Sequence, residues 1–155
     1  MREPRVRRAT FVALYSASDG ELPTRALFEA LGSVPTLRRL LPRFRDRALD
    51  WGRVDDWDDL VPGRFGILEP ALSTSERLSP RDVVLEPGIA FDIHGWRLGR
   101  GGGYYDQAFP PGTDAPWLVG IGYTFQWISE VPHYSRDRRV NAIVTEDGWV
   151  RTGAG

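Results

Sequence analysis

The sequence of 155 residues has no cysteine, no lysine and only two histidines, His94 and His133. Without cysteine there is neither a disulfide framework nor a thiolate metal site. Two histidines cannot furnish a histidine-rich zinc centre. All 20 basic side chains are arginines, so no mechanism needing a lysine amine, as a Schiff base or as an ammonium anchor for phosphate, is open to this chain. Net charge is also lacking: the formal value of -1 gives no long-range pull towards nucleic acid or an anionic membrane. No apolar run is long enough to span a bilayer, and the first residues, MREPR, have no signal-peptide core. These absences lead to the expectation of a cytoplasmic monomer with neither nucleic acid nor membrane as partner. What is present is an ordinary globular composition, 41% hydrophobic, in a length suited to one domain over residues 1–155.

The apolar residues fall into short blocks. Residues 9–15 (ATFVALY), 116–123 (PWLVGIGY) and 140–145 (VNAIVT) are near-continuous runs, the pattern of strands buried on both faces. Residues 81–86 form a further expected strand, 37–42 another that ends at Pro42, 43–51 one or two hairpin strands and 148–150 a short terminal one. Residues 25–31 carry Leu27, Phe28 and Leu31 at helical spacing, with Thr24 as N-cap and Gly32 as stop. A second, short helix is expected over 105–109. The basic residues before Ala9 read as a frayed end and 73–80 as a polar connector. Asp55, Asp56, Asp58 and Asp59 surround Trp57, but without the loop glycine and terminal glutamate of a calcium loop they read as a solvated acidic turn. Strands alternating with helices predict an α/β fold: a single three-layer domain with a mostly parallel, Rossmann-like central sheet. Ligands on such sheets lie at the carboxyl ends of the strands, where loops at Gly20, Glu69, Gly99 and Tyr123 are expected to converge.

The most informative stretch is 95–106 (GWRLGRGGGYYD). Gly99, Gly101, Gly102 and Gly103 bury nothing and weaken both helix and strand, but they let backbone amides approach another molecule as an anion cradle. Arg97 and Arg100 add guanidinium donors suited to phosphate. Asp106 would repel a phosphate unless a divalent cation lay between them, which points to a phosphate and Mg²⁺ site. A flexible glycine hairpin is the other reading of the composition.

Residues 88–106 (GIAFDIHGWRLGRGGGYYD) strongly resemble the signature of the 5-formyltetrahydrofolate cyclo-ligases, or methenyltetrahydrofolate synthetases. GELPT at 20–24, GILEP at 66–70, VGIGY at 119–123 and IVTE at 143–146 resemble other parts of that family in the same order. The resemblance implies ATP- and Mg²⁺-dependent closure of 5-formyltetrahydrofolate, a reduced folate, to 5,10-methenyltetrahydrofolate, with release of ADP and phosphate. It implies ATP contacts from Arg97, Leu98, Gly99, Arg100, Gly101, Gly102, Gly103, Tyr104 and Tyr105. Arg100 would be the catalytic cation, Asp106 and Asp137 would hold Mg²⁺, and Glu21, Glu69, Tyr104 and Tyr105 would contact the folate. Tyr123 and Trp127 are open between pocket lining and core. The family's usual N-terminal helix, which carries Lys and Arg to the phosphates, is expected to be lacking, which leaves Arg5, Arg7 or Arg8 to supply the charge. Tyr134, Arg136 and Asn141 stand where the family's pattern is acidic or histidine. Two functions follow: the cyclo-ligase itself, with activity impaired by the short N-terminus, or a non-catalytic relative that binds nucleotide, folate or a partner without turnover.

Overall fold

The structure is a computed structural model that describes residues 3–71 and 75–153. Met1 and Arg2 of the expected frayed end, and Ser73 and Thr74 of the expected connector, lie outside the described residues. The fold is mixed α/β, built on a seven-stranded sheet in the order β11-β10-β9-β6-β1-β2-β3. These strands are β1 (Phe11–Ala13), β2 (Arg38–Arg45), β3 (Ala48–Arg53), β6 (Val83–Pro87), β9 (Trp117–Ile121), β10 (Ala142–Thr145) and β11 (Gly148–Arg151). The central five are parallel, and an antiparallel strand, β3 or β11, closes each edge. Two short ribbons stand apart from the sheet: β4 (Leu60–Pro62) with β5 (Leu68–Pro70), and β7 (Ala90–Phe91) with β8 (Arg97–Leu98).

Alternation along the strands feeds two apolar clusters. Val12, Leu14, Val83, Leu85 and Val119 pack with Val6 of α1 (Pro4–Arg8) and with Phe28 and Leu31 of α2 (Arg25–Leu31). Ala13, Leu40, Val84, Leu118 and Ile143 pack with Trp51, Phe91, and Tyr105 and Phe109 in and just after α3 (Tyr104–Ala108). The described helices have only five to seven residues, so loops and ribbons share the covering of the sheet.

Three local expectations are corrected. The chain before Ala9 forms α1, because Pro4 presets the first helical turn, the Glu3 carboxylate caps Arg5 N at 3.4 Å, and Val6 reaches the core. Strand β2 runs through Pro42 instead of stopping there. β1 ends opposite Leu40, so beyond that point β2 has β3 as its one neighbour, and a residue without an N–H is tolerated on the open side. Helix α2 has the expected bounds, but the Thr24 hydroxyl makes no cap and donates instead to the Tyr15 carbonyl, while Gly32 is right-handed at φ -61°. The acidic turn at residues 55–59 is as expected: Asp56 caps a 3-10 turn, and Asp55 and Asp58 make exposed ion pairs with Arg53 and Arg25.

Counting only parallel strands, the sheet runs 2-1-3-4-5, so chain order reverses between β1 and β6. Doubly wound sheets open a crevice at such a switch point, outside the carboxyl ends of the flanking strands. Two buried aspartates brace the frame, one at the amino ends of these strands and one at the β7–β8 turn. Asp82 accepts from Phe11 N (2.8 Å), Ser79 N (2.8 Å) and Ser79 Oγ (2.7 Å), tying the starts of β6 and β1 together. Asp92, wholly buried, accepts from His94 N (2.9 Å), Trp96 N (3.0 Å) and Val131 N (2.9 Å), and so holds the β7–β8 turn against the C-terminal half of the chain. Hydrogen bonds to a charged acceptor contribute about 1.5–3 kcal/mol each. Asp92→Ala, which strands the buried Val131 N–H and two part-buried N–H groups, is therefore expected to cost about 3 kcal/mol, read as a fall in denaturant midpoint, whereas Asp92→Asn should cost less.

Candidate active site

The loop after β1 and the segment after β6 flank the switch point. Residues 16–21 close on themselves: Ser18 N donates to Glu21 Oε2 (2.8 Å) and Glu21 N to the Ser18 carbonyl (3.0 Å). Tyr15, at the loop's root, donates its hydroxyl to the Leu22 carbonyl at 2.9 Å. Burial, reinforced by the charge of Glu21 and by Tyr123, pushes that hydroxyl far above its ordinary pKa and keeps it a neutral donor.

On the other side β8 leads into Gly99, Gly101, Gly102 and Gly103, then α3. Gly101 and Gly103 have φ of 90° and 64°, which disfavour any side chain, and nothing lies within 4 Å of the place a Cβ would occupy at Gly101. The loop is thus open at Gly101, while Gly99 lies against the Arg97 side chain and Gly102 against the Tyr104 ring. Arg100 crosses from this loop to the β1 loop: its Nε lies 3.2 Å from Glu21 Oε1, and Nη2 donates to the Asp19 carbonyl.

These segments wall a cleft of about 1790 Å³, to which the β2–β3 hairpin adds Phe44 and Asp46, the β4–β5 ribbon adds Phe65 and Leu68, and a late loop adds Tyr134, Arg136 and Asp137. Glu21, Arg97, Leu98, Gly99, Arg100, Gly101, Gly102, Gly103, Tyr104, Tyr105, Asp106 and Asp137 all line it. Their tasks differ. Arg97 is committed to the protein: its side chain is 6% exposed, Nε lies 2.9 Å from Glu86 Oε2, Nη1 donates to the Pro87 carbonyl at 3.1 Å, and Nη2 lies 3.8 Å from Asp106 Oδ2. A guanidinium so occupied supports the loop rather than reaching out to a phosphate. Tyr105 is buried against Trp51 and under Arg97, whereas Tyr104 stands in the cleft, edge-on to Phe44 at 4.9 Å, with its hydroxyl on the Asp46 carbonyl at 3.2 Å.

Several expected participants lie elsewhere. Glu69 is not part of the cleft wall. Its neighbour Leu68 lines the cleft, so the alternation of β5 turns Glu69 the other way, to a buried ion pair with Arg43 at 3.3 Å. Tyr123 stacks on Phe125 and Trp127 packs against the core; neither lines the cleft. Arg5 and Arg8 line a separate pocket with Pro80, Arg81 and Trp117. They precede β1 and so sit at the amino ends of the parallel strands, the wrong end for the cleft. The two aspartates do not form a self-sufficient metal site. Asp106 Oδ1 accepts from Arg138 N (2.9 Å), Asp137 Oδ2 accepts from Tyr134 N (2.7 Å), and among the described residues no cluster of three or more His, Asp or Glu is placed to hold a metal. Both line the same cleft, where an ion held by them would need its remaining ligands from phosphates and water, as Mg²⁺ commonly takes them.

Sequence reasoning missed Glu86. It ends an apolar strand pattern, VVLE, and nothing in that pattern separates a solvent-facing terminus from a buried carboxylate. Burial, outweighing the attraction of Arg97, lifts its pKa to about 7, with Asp106 adding to the rise.

The fold and cleft define a mixed α/β protein built on a mostly parallel sheet, with a glycine-rich loop at its switch point. A model of the 5-formyltetrahydrofolate cyclo-ligase family matches residues 1–146, and the chain belongs to that family. It is 35% identical to the 5-formyltetrahydrofolate cyclo-ligase of Escherichia coli, over 94% of this chain and 82% of that one. To the Haemophilus influenzae protein of the same name it is 32% identical, over 81% of this chain and 70% of that one. The solution structure of Aquifex aeolicus 5,10-methenyltetrahydrofolate synthetase superposes with a TM-score of 0.80 at 33% identity, covering 99% of this chain and 77% of that one.

Because the pKa of Glu86 is raised on folding, the folded state binds its proton more tightly. Its contribution to stability is complete below the ordinary carboxylate pKa and is lost as pH rises through about 7. Thermal melts between pH 5 and 8 should show stability declining towards alkaline pH relative to Glu86→Gln; parallel profiles for the two proteins would contradict this.

Proposed function

We propose that the protein is an ATP- and Mg²⁺-dependent 5-formyltetrahydrofolate cyclo-ligase that forms 5,10-methenyltetrahydrofolate and releases ADP and phosphate. Family membership supports the reaction class. The observation that carries the reading is that one cleft unites a bare glycine loop, the Arg100 guanidinium and the Glu21 carboxylate. Its volume of about 1790 Å³ exceeds the roughly 300–1,000 Å³ of single-ligand pockets, in keeping with two substrates bound side by side.

In this mechanism the formyl oxygen attacks the terminal phosphorus of ATP and ADP departs. N10 of the folate then attacks the activated formyl carbon and loses its proton, and the C–O bond breaks so that the oxygen leaves as phosphate. The protein positions both substrates and stabilises charge, with no covalent intermediate on its own side chains. Backbone amides of residues 99–103 receive the phosphates, and Arg100 neutralises charge gathering on the transferring group. Glu21 accepts hydrogen bonds from the pterin, and Tyr104 borders the reacting ring. Asp106 and Asp137 would hold Mg²⁺, which supplies charge neutralisation at the phosphates when bound. Arg100 and Glu21 pair with each other. Phosphate is the competing partner for Arg100, and the pterin for Glu21. Arg97, Glu86 and Asp92 act through the frame they hold.

Purified protein supplied with ATP, Mg²⁺ and 5-formyltetrahydrofolate is expected to generate the near-ultraviolet absorbance of the methenyl product. Absence of product where calorimetry shows ATP binding would leave a nucleotide-binding relative without turnover. Removing one preorganised donor from developing charge typically lowers kcat about 10²–10³-fold. Arg100→Ala should do so with little change in melting temperature, since its side chain is 50% exposed. Asp106→Asn should abolish Mg²⁺-dependent turnover, and an unchanged metal dependence would refute the metal assignment.

A further inference from the structure

The tip of the β4–β5 ribbon is a tight turn, closed by Ile67 N on the Arg64 carbonyl at 3.2 Å, with Phe65 and Gly66 as its central residues, both at positive φ. Phe65 has φ of 60° and ψ of 17°, left-handed values in a residue that is neither glycine nor asparagine, and its side chain is 68% exposed. The turn thus sets a large aromatic ring in water, at a position where glycine or asparagine is the usual choice. The ring is also held in place. Arg64 lies over it at 5.1 Å, and Arg64 Nη1 donates to the Asp46 carbonyl at 3.1 Å, the same oxygen that receives the Tyr104 hydroxyl at 3.2 Å. Phe65 meets Phe44 edge-on at 6.2 Å, and Phe44 meets Tyr104 at 4.9 Å, so the three rings form one wall of the cleft. Asp46 is itself left-handed, with φ of 38°. The two hairpin tips are therefore fastened to each other and to the end of the glycine loop.

We infer that Phe65 is a substrate-binding residue that stacks on a planar ring of the folate, and that the ribbon tip sets affinity for that substrate alone. Arg64 occupies one side of the ring, which leaves the other side to a ligand. Stacking needs a flat π-system, which both the pteridine and the aminobenzoyl arm of a folate supply and a triphosphate does not. The inference rests on the folate reading of the cleft.

The test measures direct binding by calorimetry, so it does not depend on turnover. Alanine in place of an aromatic stacking partner typically weakens binding about 5- to 100-fold. Phe65→Ala should weaken 5-formyltetrahydrofolate by that factor and leave ATP within about twofold, while Phe65→Tyr and Phe65→Trp restore folate affinity. Phe65→Gly should lose the same affinity yet melt no lower than the parent, because glycine relieves the left-handed strain; a merely structural residue would lose both together. A tetrahydropterin without the aminobenzoyl arm identifies the ring: sensitivity to Phe65→Ala assigns the pteridine, and insensitivity combined with loss for the whole folate assigns the arm. Unchanged folate affinity in Phe65→Ala, an equal loss for ATP, or a parent protein that binds no folate would each overturn the inference. Folate binding without product would refute the proposed turnover and leave the role of Phe65 to be judged by these affinities.

Discussion

A guanidinium buried beneath the glycine loop is the constraint on which the site depends. Arg97 is excluded from water, and an unpaired charge there would cost several kcal/mol, so the fold must supply partners for it. It does so from the end of β6, through Glu86 and the Pro87 carbonyl, and from α3, through Asp106 and the face of Tyr105. One side chain thus joins the carboxyl end of a central strand to both ends of the loop. Such a pair adds little net stability against an apolar replacement. Its effect is geometric: residues 99–103 can be bare backbone because their anchors lie outside them.

In the cleft above that anchor, opposite charges meet directly. Arg100 rests against Glu21 and the Asp19 carbonyl, with half its side chain in water. Partly exposed pairs of this kind contribute on the order of 1 kcal/mol or less, so ligands can part them at small cost. Asp106 and Asp137 each have one oxygen held by a backbone N–H, which fixes their direction, and the second oxygen of Asp106 lies 3.8 Å from Arg97 Nη2.

How much of this was legible in the sequence follows from the range of the interactions concerned. The buried parallel strands were legible because two covered faces demand unbroken apolar runs, as at Val83, Val84 and Leu85. The loop was legible because glycines at successive positions have no packing purpose. The division of labour between Arg97 and Arg100 was not. They lie three residues apart in one motif, and only tertiary contact with Glu86 buries one while the other stays in water. Glu69 was misplaced because a motif carries order but not facing, and one step along a strand reverses the side. The strand through Pro42 depends on where a neighbouring strand ends, and α1 depends on a sheet face that Val6 alone reaches.

The absence of lysine acquires meaning in this setting. An ammonium is a compact, strongly hydrated point charge, costly to bury and indifferent to direction. The central cation here must be buried, meet a carboxylate, a carbonyl and a second carboxylate at different points of its fork, and lie against an aromatic face. Only a guanidinium meets all of these demands. Arg64 repeats the logic at the rim, bonding the Asp46 carbonyl while its plane covers Phe65. Neither position would accept a lysine in place of its arginine. An Arg→Lys exchange at residue 97 would keep the charge and lose the fork that spans strand, loop and helix.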